Sequence, residues 1–487
     1  MKHLLLFAII VSSSAGYGQK LPNEPADFLT KDFHQERRKL LREKLPANSV
    51  AVFFANPVRN RANDVEYVYH QSPDFYYLTG YKEPDAVLLV FKDKQTASNG
   101  TQYDEIIFVQ PRNEAAEMWT GRRLGEEGVK TRLGLEQAFN NTAFKSYNVD
   151  FKKFGQILFY DFHNDVRNSK YDSADLFDLI QQFKAKVGYP STEAALTLNR
   201  EPEKNNLNTK DLNGIMASLR GIKTKEELEL IRKAVNISTT GQVEVMKAIK
   251  PGMSEREIQG IHEYVFKKYQ AEDLGYPSIV GEGNNGCILH YIDNYKPEIS
   301  SKELILMDLG AEYHGYTADI TRTIPVSGKF SPEQRQIYEL VLKAQEEAMA
   351  ICKPGVTLRQ LTEVTAKVIN KGLKDLGIIA NESDKHRYYP HGCCHHIGLD
   401  VHDKGGPELK ENMVITIEPG IYIPENSACD RKWWGIAVRI EDDYLITKDG
   451  NEHLSTIAPR KPEEIEALMK LPSALDDFIL PDLDKKN

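Results

Sequence analysis

Between Leu304 and Val326 the chain reads LILMDLGAEYHGYTADITRTIPV, two apolar, β-branched runs joined at His314 and Gly315. Such runs on either side of a glycine-containing turn are the pattern of a β-hairpin. This stretch constrains the fold more than any other, because a fixed turn fixes the register of both strands. With His314 and Gly315 at the turn, Tyr313 faces Tyr316, and Asp308 and Asp319 become diagonal neighbours on one sheet face. Asp308 follows Ile305, Leu306 and Met307, where the strand is expected to be buried. Two carboxylates so close in a buried sheet repel unless a proton or a cation lies between them. Taken alone, the pair is more simply read as two edge aspartates hydrogen-bonded to backbone, so the rest of the chain has to decide.

A chain of 487 residues is too long for one ordinary core, and two domains are expected. A net charge of −9 with no long Lys/Arg stripe excludes a nucleic-acid footprint. Cys287, Cys352, Cys393, Cys394 and Cys429 lack CxxC spacing, so neither a disulfide framework nor a thiolate zinc site is implied. At the N-terminus a charged start (Met1-Lys2-His3), the apolar run LLLFAIIV and the small residues SSSAGYG make residues 1–18 a secretory signal, with cleavage before Gln19. The run is too short for a permanent membrane span, and no cysteine follows it to carry a lipid. The mature protein is therefore expected to be exported, periplasmic or secreted, without stable membrane insertion.

Residues 27–205 are expected to form an α/β domain. Helical spacing over Asp32 to Leu45 and Ala174 to Lys186 alternates with short apolar runs at Val50–Phe54, Phe75–Leu78, Val87–Phe91, Ile106–Val109 and Ile157–Tyr160. Trp119 to Gly125, WTGRRLG, reads as an exposed aromatic–basic loop, a surface turn or a subunit contact. The polar segment from Glu201 to Asn213 marks a domain boundary. A second domain over 212–470 opens with a helix whose Thr224 and Glu227 form a capping pattern. Lys250-Pro251-Gly252 with Ser254 is echoed by Lys353-Pro354-Gly355 with Thr357, each closing one helix and capping the next. The echo fits two related αβ halves with a site between them. A tail, 471–487, follows, with Phe478-Ile479-Leu480 as a docking element or a mobile end.

Four histidines fall within HGCCHHIGLDVHD, at 391, 395, 396 and 402. Neutral imidazole is the commonest protein metal ligand. Glu418 ends the apolar run Met413–Ile417, and Glu441 ends Ile436–Ile440, positions at which an unpaired carboxylate is costly. Arg439 offers an ion pair, a sufficient explanation for Glu441 by itself. Two aspartates, two glutamates and a histidine at strand-like positions point instead to metal. Oxygen donors plus one imidazole suit Mn²⁺, Co²⁺, Fe²⁺ or Zn²⁺, and bridging carboxylates can hold two such ions.

Asp308, Asp319, His395, Glu418 and Glu441, together with GCILHY (286–291), DITRT, GLDVHD, IEPGIYI (417–423) and RIEDD (439–443), resemble the pita-bread metallopeptidases, most closely the aminopeptidase P (Xaa-Pro aminopeptidase) family. SPDFYYLTGYKEPDAVLLV (72–90), WTGRRLG and KPEEIEALM (461–469) extend the likeness over about residues 30 to 470. The resemblance implies an α+β architecture, an N-terminal α/β domain followed by a pita-bread domain of duplicated αβ halves. It makes Asp308 a chelating ligand, Asp319 and Glu441 bridging ligands, and His395 with Glu418 the remaining ligands of two divalent ions, most simply Mn²⁺. A metal-bridging hydroxide then attacks the scissile carbonyl, with Glu418 as general base. His290, His402 and His391 match positions that stabilise the intermediate or bind substrate, and His402, Tyr422 and Arg439 are expected against the peptide. His396 is expected to be structural, and Cys393 and Cys394 small core side chains. The implied substrate is a peptide with proline in second position, and a homo-oligomer, dimer or tetramer, is expected. An Xaa-Pro dipeptidase (prolidase) shares domains and ligands and is the alternative; methionine aminopeptidase lacks the N-terminal domain, and creatinase-like or non-catalytic relatives lose ligands that are all present here.

Overall fold

The computed structural model describes residues 25–97, 99–190, 206–477 and 480. The expected signal segment, the first part of the boundary segment and most of the tail, including Phe478 and Ile479, lie outside the described residues. The chain divides into two compact units, residues 1–212 and 213–487. Among the described residues no helix is long and apolar enough to cross a membrane.

The first unit is built on a six-stranded mixed sheet in the order Ala138–Asn140, Gln102–Val109, Val87–Thr96, Ser49–Phe54, Gln156–Leu158, Leu207–Asn208. The central strands pair antiparallel, with Val87 opposite Phe54 and Phe108. Gln156–Leu158 joins parallel to Ser49–Phe54. Val50, Val52, Leu89, Phe91, Ile106 and Phe108 pack with Leu179 and Phe183 of helix Leu176–Val187. The intervening Ala51, Phe53, Leu88, Val90 and Ile107 are buried too, so these strands are unbroken apolar runs rather than alternating ones.

One expectation fails here. Phe75–Leu78 is not a strand but part of helix Pro73–Thr79. Ser72 accepts the Phe75 N–H as N-cap, Pro73 occupies the first turn, and Gly80 stops the helix in the left-handed region at φ +71°. These local start and stop signals outweigh the strand-like composition of four residues.

The second unit repeats one plan twice. Helices Lys225–Ala248 and Glu255–Lys268 precede an antiparallel sheet of Ile279–Glu282, Leu304–Leu309 and Ile320–Pro325. Helices Pro332–Ile351 and Leu358–Asp375 precede the sheet of Val414–Ile417, Asp442–Ile446 and Asn451–His453, and a ladder of Gly420–Ile423 with Ile436–Arg439. In both halves the helices are joined through Pro-Gly, with Gly252 and Gly355 at φ +92° and +87°, and Ser254 and Thr357 cap the second helix. The repeat reaches the core. Gln242 Nε2 donates to the carbonyls of Met307 and Ile320 at 3.0 and 2.9 Å. Gln345 Nε2 donates to those of Ile417 and Ile440 at 2.9 and 3.2 Å. Each buried glutamine thus holds the strand ends from which a pair of acids emerges, Asp308 and Asp319 in one half, Glu418 and Glu441 in the other.

Candidate active site

Strand Leu304–Leu309 is wholly buried, and its register with Ile320–Pro325 sets Asp308 opposite Thr321 and diagonal to Asp319. Tyr313 pairs with Tyr316 around His314 and Gly315, both in left-handed conformation. The hairpin is not continuous, however. Beyond Leu309 the strands part at Gly310, and Ala311–Tyr313 joins a separate small sheet with Tyr316–Thr317 and Asp273–Leu274. Asp319 sits at this break and its backbone N–H donates to Asp443 Oδ2 at 3.1 Å. Glu418 follows Val414–Ile417 where Pro419 ends the ladder, its N–H held by the Cys393 carbonyl at 2.7 Å. Glu441 lies between Ile436–Arg439 and Asp442–Ile446, its N–H held by the Thr321 carbonyl at 3.1 Å.

These side chains line one cavity of about 580 Å³ with His290, His391, His395, His402 and Arg439. Oxygens of Asp319 and Glu441 and a ring nitrogen of His395 all lie within 4.8 Å of one another. His395 Nε2 is 3.4 Å from Asp319 Oδ2 and 3.4 Å from Glu418 Oε1. Burial pushes the Asp319 and Glu441 carboxyls far above the usual range, reinforced by the neighbouring acids. Glu418 is pushed up to about 7, again chiefly by burial. Asp308 runs the other way: burial raises it, but the Arg439 guanidinium, at 2.6 Å from Oδ2, holds it below its ordinary value.

Residues 229–448 match Metallopeptidase family M24, and residues 34–156 match the Aminopeptidase P, N-terminal domain. The Xaa-Pro aminopeptidase of Escherichia coli K12 is 36% identical over 454 residues, covering 89% of this chain and 97% of that protein. The chain belongs to metallopeptidase family M24. The solved proline aminopeptidase P II of Yersinia pestis is similar at TM-score 0.76 and 33% identity over 91% of this chain and 99% of that one. A zinc-substituted E. coli aminopeptidase P in complex with product has the same TM-score at 32% identity, covering 91% and 98%.

The M24 family implies divalent metal ions, and the donor set here fits them. His395 Nδ1 faces the His396 carbonyl at 3.0 Å. A carbonyl only accepts, so Nδ1 carries the proton and Nε2 presents its lone pair to the carboxylates. The acids themselves are buried with too few cations of the protein beside them, which is costly unless an external cation completes the site.

The other expected residues divide. His290 and His402 line the cavity, and the His402 ring stands edge-on to His395 at 4.4 Å. His391 also lines it, but Nδ1 is engaged by the Gly392 carbonyl at 2.7 Å and Nε2 by the Tyr422 hydroxyl at 2.8 Å. Tyr422 does not line the cavity. It is 2% exposed and stands behind His391, accepting from Arg439 Nη1 at 2.8 Å. Arg439 does line it, yet its guanidinium is committed to Asp308, Tyr422 and Thr321 rather than to either glutamate. His396 is buried on the Gly406 carbonyl, and Cys393 is in the core, whereas Cys394 reaches the cavity wall.

Three contributors escaped the sequence reading. Thr321 Oγ1 donates to Glu441 Oε2 at 2.6 Å. Asp443 is buried under Asp319, with Oδ1 unpartnered. Tyr276 places its hydroxyl between Asp308 and Asp319. Thr321 and Asp443 each lie two residues beyond a ligand, Asp319 and Glu441. Tyr276 lies in no strand, and its only signal is the glycine before it.

Proposed function

We propose that this protein is a metallo-aminopeptidase that releases the N-terminal residue from peptides with proline in second position. The observation that carries the reading is the convergence of Asp308, Asp319, His395, Glu418 and Glu441 on one cavity inside an M24 fold. Asp308, Asp319, His395, Glu418 and Glu441 are read as holding two divalent ions, and hard oxygen donors with one imidazole favour Mn²⁺. When bound, the ions supply Lewis acidity and an activated water.

The protein's own residues do the rest. Glu418, at the cavity edge of its strand, takes the proton of the attacking water on a carboxylate oxygen and hands it to the departing proline nitrogen. His290 and His402 present ring nitrogens to the oxygen of the scissile carbonyl. Arg439 and Tyr422, expected against the peptide, are read instead as orienting residues: Arg439 fixes Asp308, and Tyr422 fixes the His391 ring. Leu289, Ile292, Ile279 and Val401 give the cavity an apolar wall suited to a proline ring, which brings no N–H to be satisfied.

The dipeptidase alternative is disfavoured by one observation. A dipeptidase must neutralise a substrate carboxylate close to the scissile bond. Among the residues lining the cavity the one permanent cation is Arg439, and each of its three nitrogens already donates within the protein, with Asp308 answering its charge. The test compares an Xaa-Pro dipeptide with Xaa-Pro-Yaa-Zaa in manganese-loaded enzyme. Cleavage of the longer peptide, with loss of its first residue alone, is expected; turnover confined to the dipeptide would overturn the assignment.

The N-terminal pattern supports export, to be checked by fractionation and N-terminal sequencing for Gln19. A dimer or tetramer is the expected assembly, consistent with the exposed Met118 and Trp119, and sedimentation measures it.

A further inference from the structure

Tyr276 belongs to no recognised motif, yet its hydroxyl is 2.6 Å from Asp308 Oδ1 and 2.5 Å from Asp319 Oδ1. The backbone explains how it gets there. The segment carrying it crosses the hairpin at the break in the ladder, where the Gly275 N–H donates to the Gly310 carbonyl at 2.9 Å. A Cβ on Gly275 would lie 1.7 Å from Thr317 Oγ1. A Cβ on Gly310 would lie 2.1 Å from the Ala318 carbonyl oxygen and 2.6 Å from Tyr276 Cε1. Neither glycine has a positive φ, so space, not backbone conformation, reserves both positions for glycine. The two absent side chains let the tyrosine ring lie against the hairpin with its oxygen aimed between the acids.

The opposite ends of those acids are already assigned. Asp308 Oδ2 is held by Arg439 at 2.6 Å, and Asp319 Oδ2 faces His395 Nε2 at 3.4 Å. The Tyr276 hydroxyl therefore lies within hydrogen-bond distance of both carboxylates, its single proton shared between Asp308 Oδ1 and Asp319 Oδ1. Among the described residues no Lys or Arg side chain pairs with Asp319.

We infer that Tyr276 is a positioning residue of the metal centre, its hydroxyl tying Asp308 and Asp319 into the orientation that receives divalent ions. This rests on the metal reading given above. The hydroxyl need not touch substrate or metal. It acts through the two aspartates, as outer hydrogen-bond partners of metal ligands do.

Tyr276→Phe removes one oxygen and keeps the ring on Gly310. Metal-stripped wild type, Tyr276→Phe and Asp319→Asn are titrated with manganese(II) chloride by calorimetry, with circular dichroism to verify the fold. The expected result is manganese binding to wild type, affinity weakened about tenfold or more in Tyr276→Phe, and a larger loss in Asp319→Asn. At saturating manganese, kcat of Tyr276→Phe recovers towards wild type, because the hydroxyl orients ligands and takes no part in the chemistry. Wild-type affinity in a folded Tyr276→Phe overturns the inference while leaving the metal reading intact. A wild type that takes up no manganese overturns the metal reading, and this inference with it. A Tyr276→Phe whose circular dichroism shows lost structure places the hydroxyl in the fold rather than the metal centre, and overturns the inference as well.

Discussion

Asp403 and Asp319 are both buried carboxylates of the second unit, and the protein treats them in opposite ways. Asp403 accepts from Arg220 Nη2 at 2.5 Å, from Lys223 Nζ at 2.9 Å and from the Lys404 N–H at 2.7 Å. Burial raises its carboxyl, but those two cations hold it below the ordinary value. Asp442 is handled alike: against the cost of burial, the Arg322 guanidinium with Nη2 at 2.6 Å and the His453 ring with Nε2 at 3.0 Å bring it to about 2. Asp319, Glu441 and Asp443 are just as deep and receive no comparable cation; burial and their neighbours push all three far upward. The first set is neutralised from within the chain. Of the second, Asp319 and Glu441 converge on His395 and a cavity open to ligand, with Asp443 behind Asp319. The difference teaches that buried charge alone does not mark a site; what marks it is charge the protein declines to neutralise.

The largest expected effect on this contrast is chemical. Glu418→Gln lowers kcat by about 10²–10⁴-fold, the usual yield of a general base, while the circular dichroism spectrum stays that of wild type; near-normal turnover would remove Glu418 from that role. Next come the compensated acids. Asp442→Asn, which strands the Arg322 guanidinium, costs about 3–5 kcal/mol of stability in denaturant melts, with or without metal. The uncompensated acids carry the opposite sign. In chelator, Asp319→Asn or Glu441→Gln stabilises the protein by about 1–2 kcal/mol, since a carboxyl that burial forces to take up a proton on folding is gone; destabilisation there would erase the distinction between the two sets.

A smaller effect concerns pH. His262 is fully buried beside Ser278, with Nε2 2.9 Å from Oγ, and burial lowers it from 6.5 to about 3. Below pH 6.5 the unfolded chain takes up a proton that the folded one refuses. The stability tied to the neutral ring is therefore present above 6.5 and drains away as pH falls towards about 3. Across that window His262→Gln should show a pH slope shallower than wild type by about 1.4 kcal/mol per pH unit, read from denaturant midpoints. Equal slopes would mean the ring is protonated in the folded state.

Much of this was legible in the residues. The hairpin register followed from its turn, since Tyr313 meets Tyr316 and Asp308 lies diagonal to Asp319. The caps at Thr224, Ser254 and Thr357 followed from local chemistry. The Pro-Gly echo was visible, but not that Gln242 and Gln345 repeat with it, because a lone buried glutamine has no period to betray it. What could not be read depends on long-range approach. Arg439 stands next to Ile440 and Glu441 in sequence, yet its strand points it across to Asp308. Tyr276 reaches the acids only because Gly275 and Gly310 permit the crossing. Phe75–Leu78 misled for a different reason, as four aromatic and aliphatic residues carry less information than the Ser72-Pro73 cap before them.

The claim that the carboxylates lining the cavity are a cation site is tested most directly by an anomalous-difference map at the manganese edge. Crystals of manganese-loaded protein should show two peaks among Asp308, Asp319, His395, Glu418 and Glu441, with none beside Asp403 or Asp442. A map with no peak among those five residues, or with manganese bound at the compensated acids instead, would contradict it.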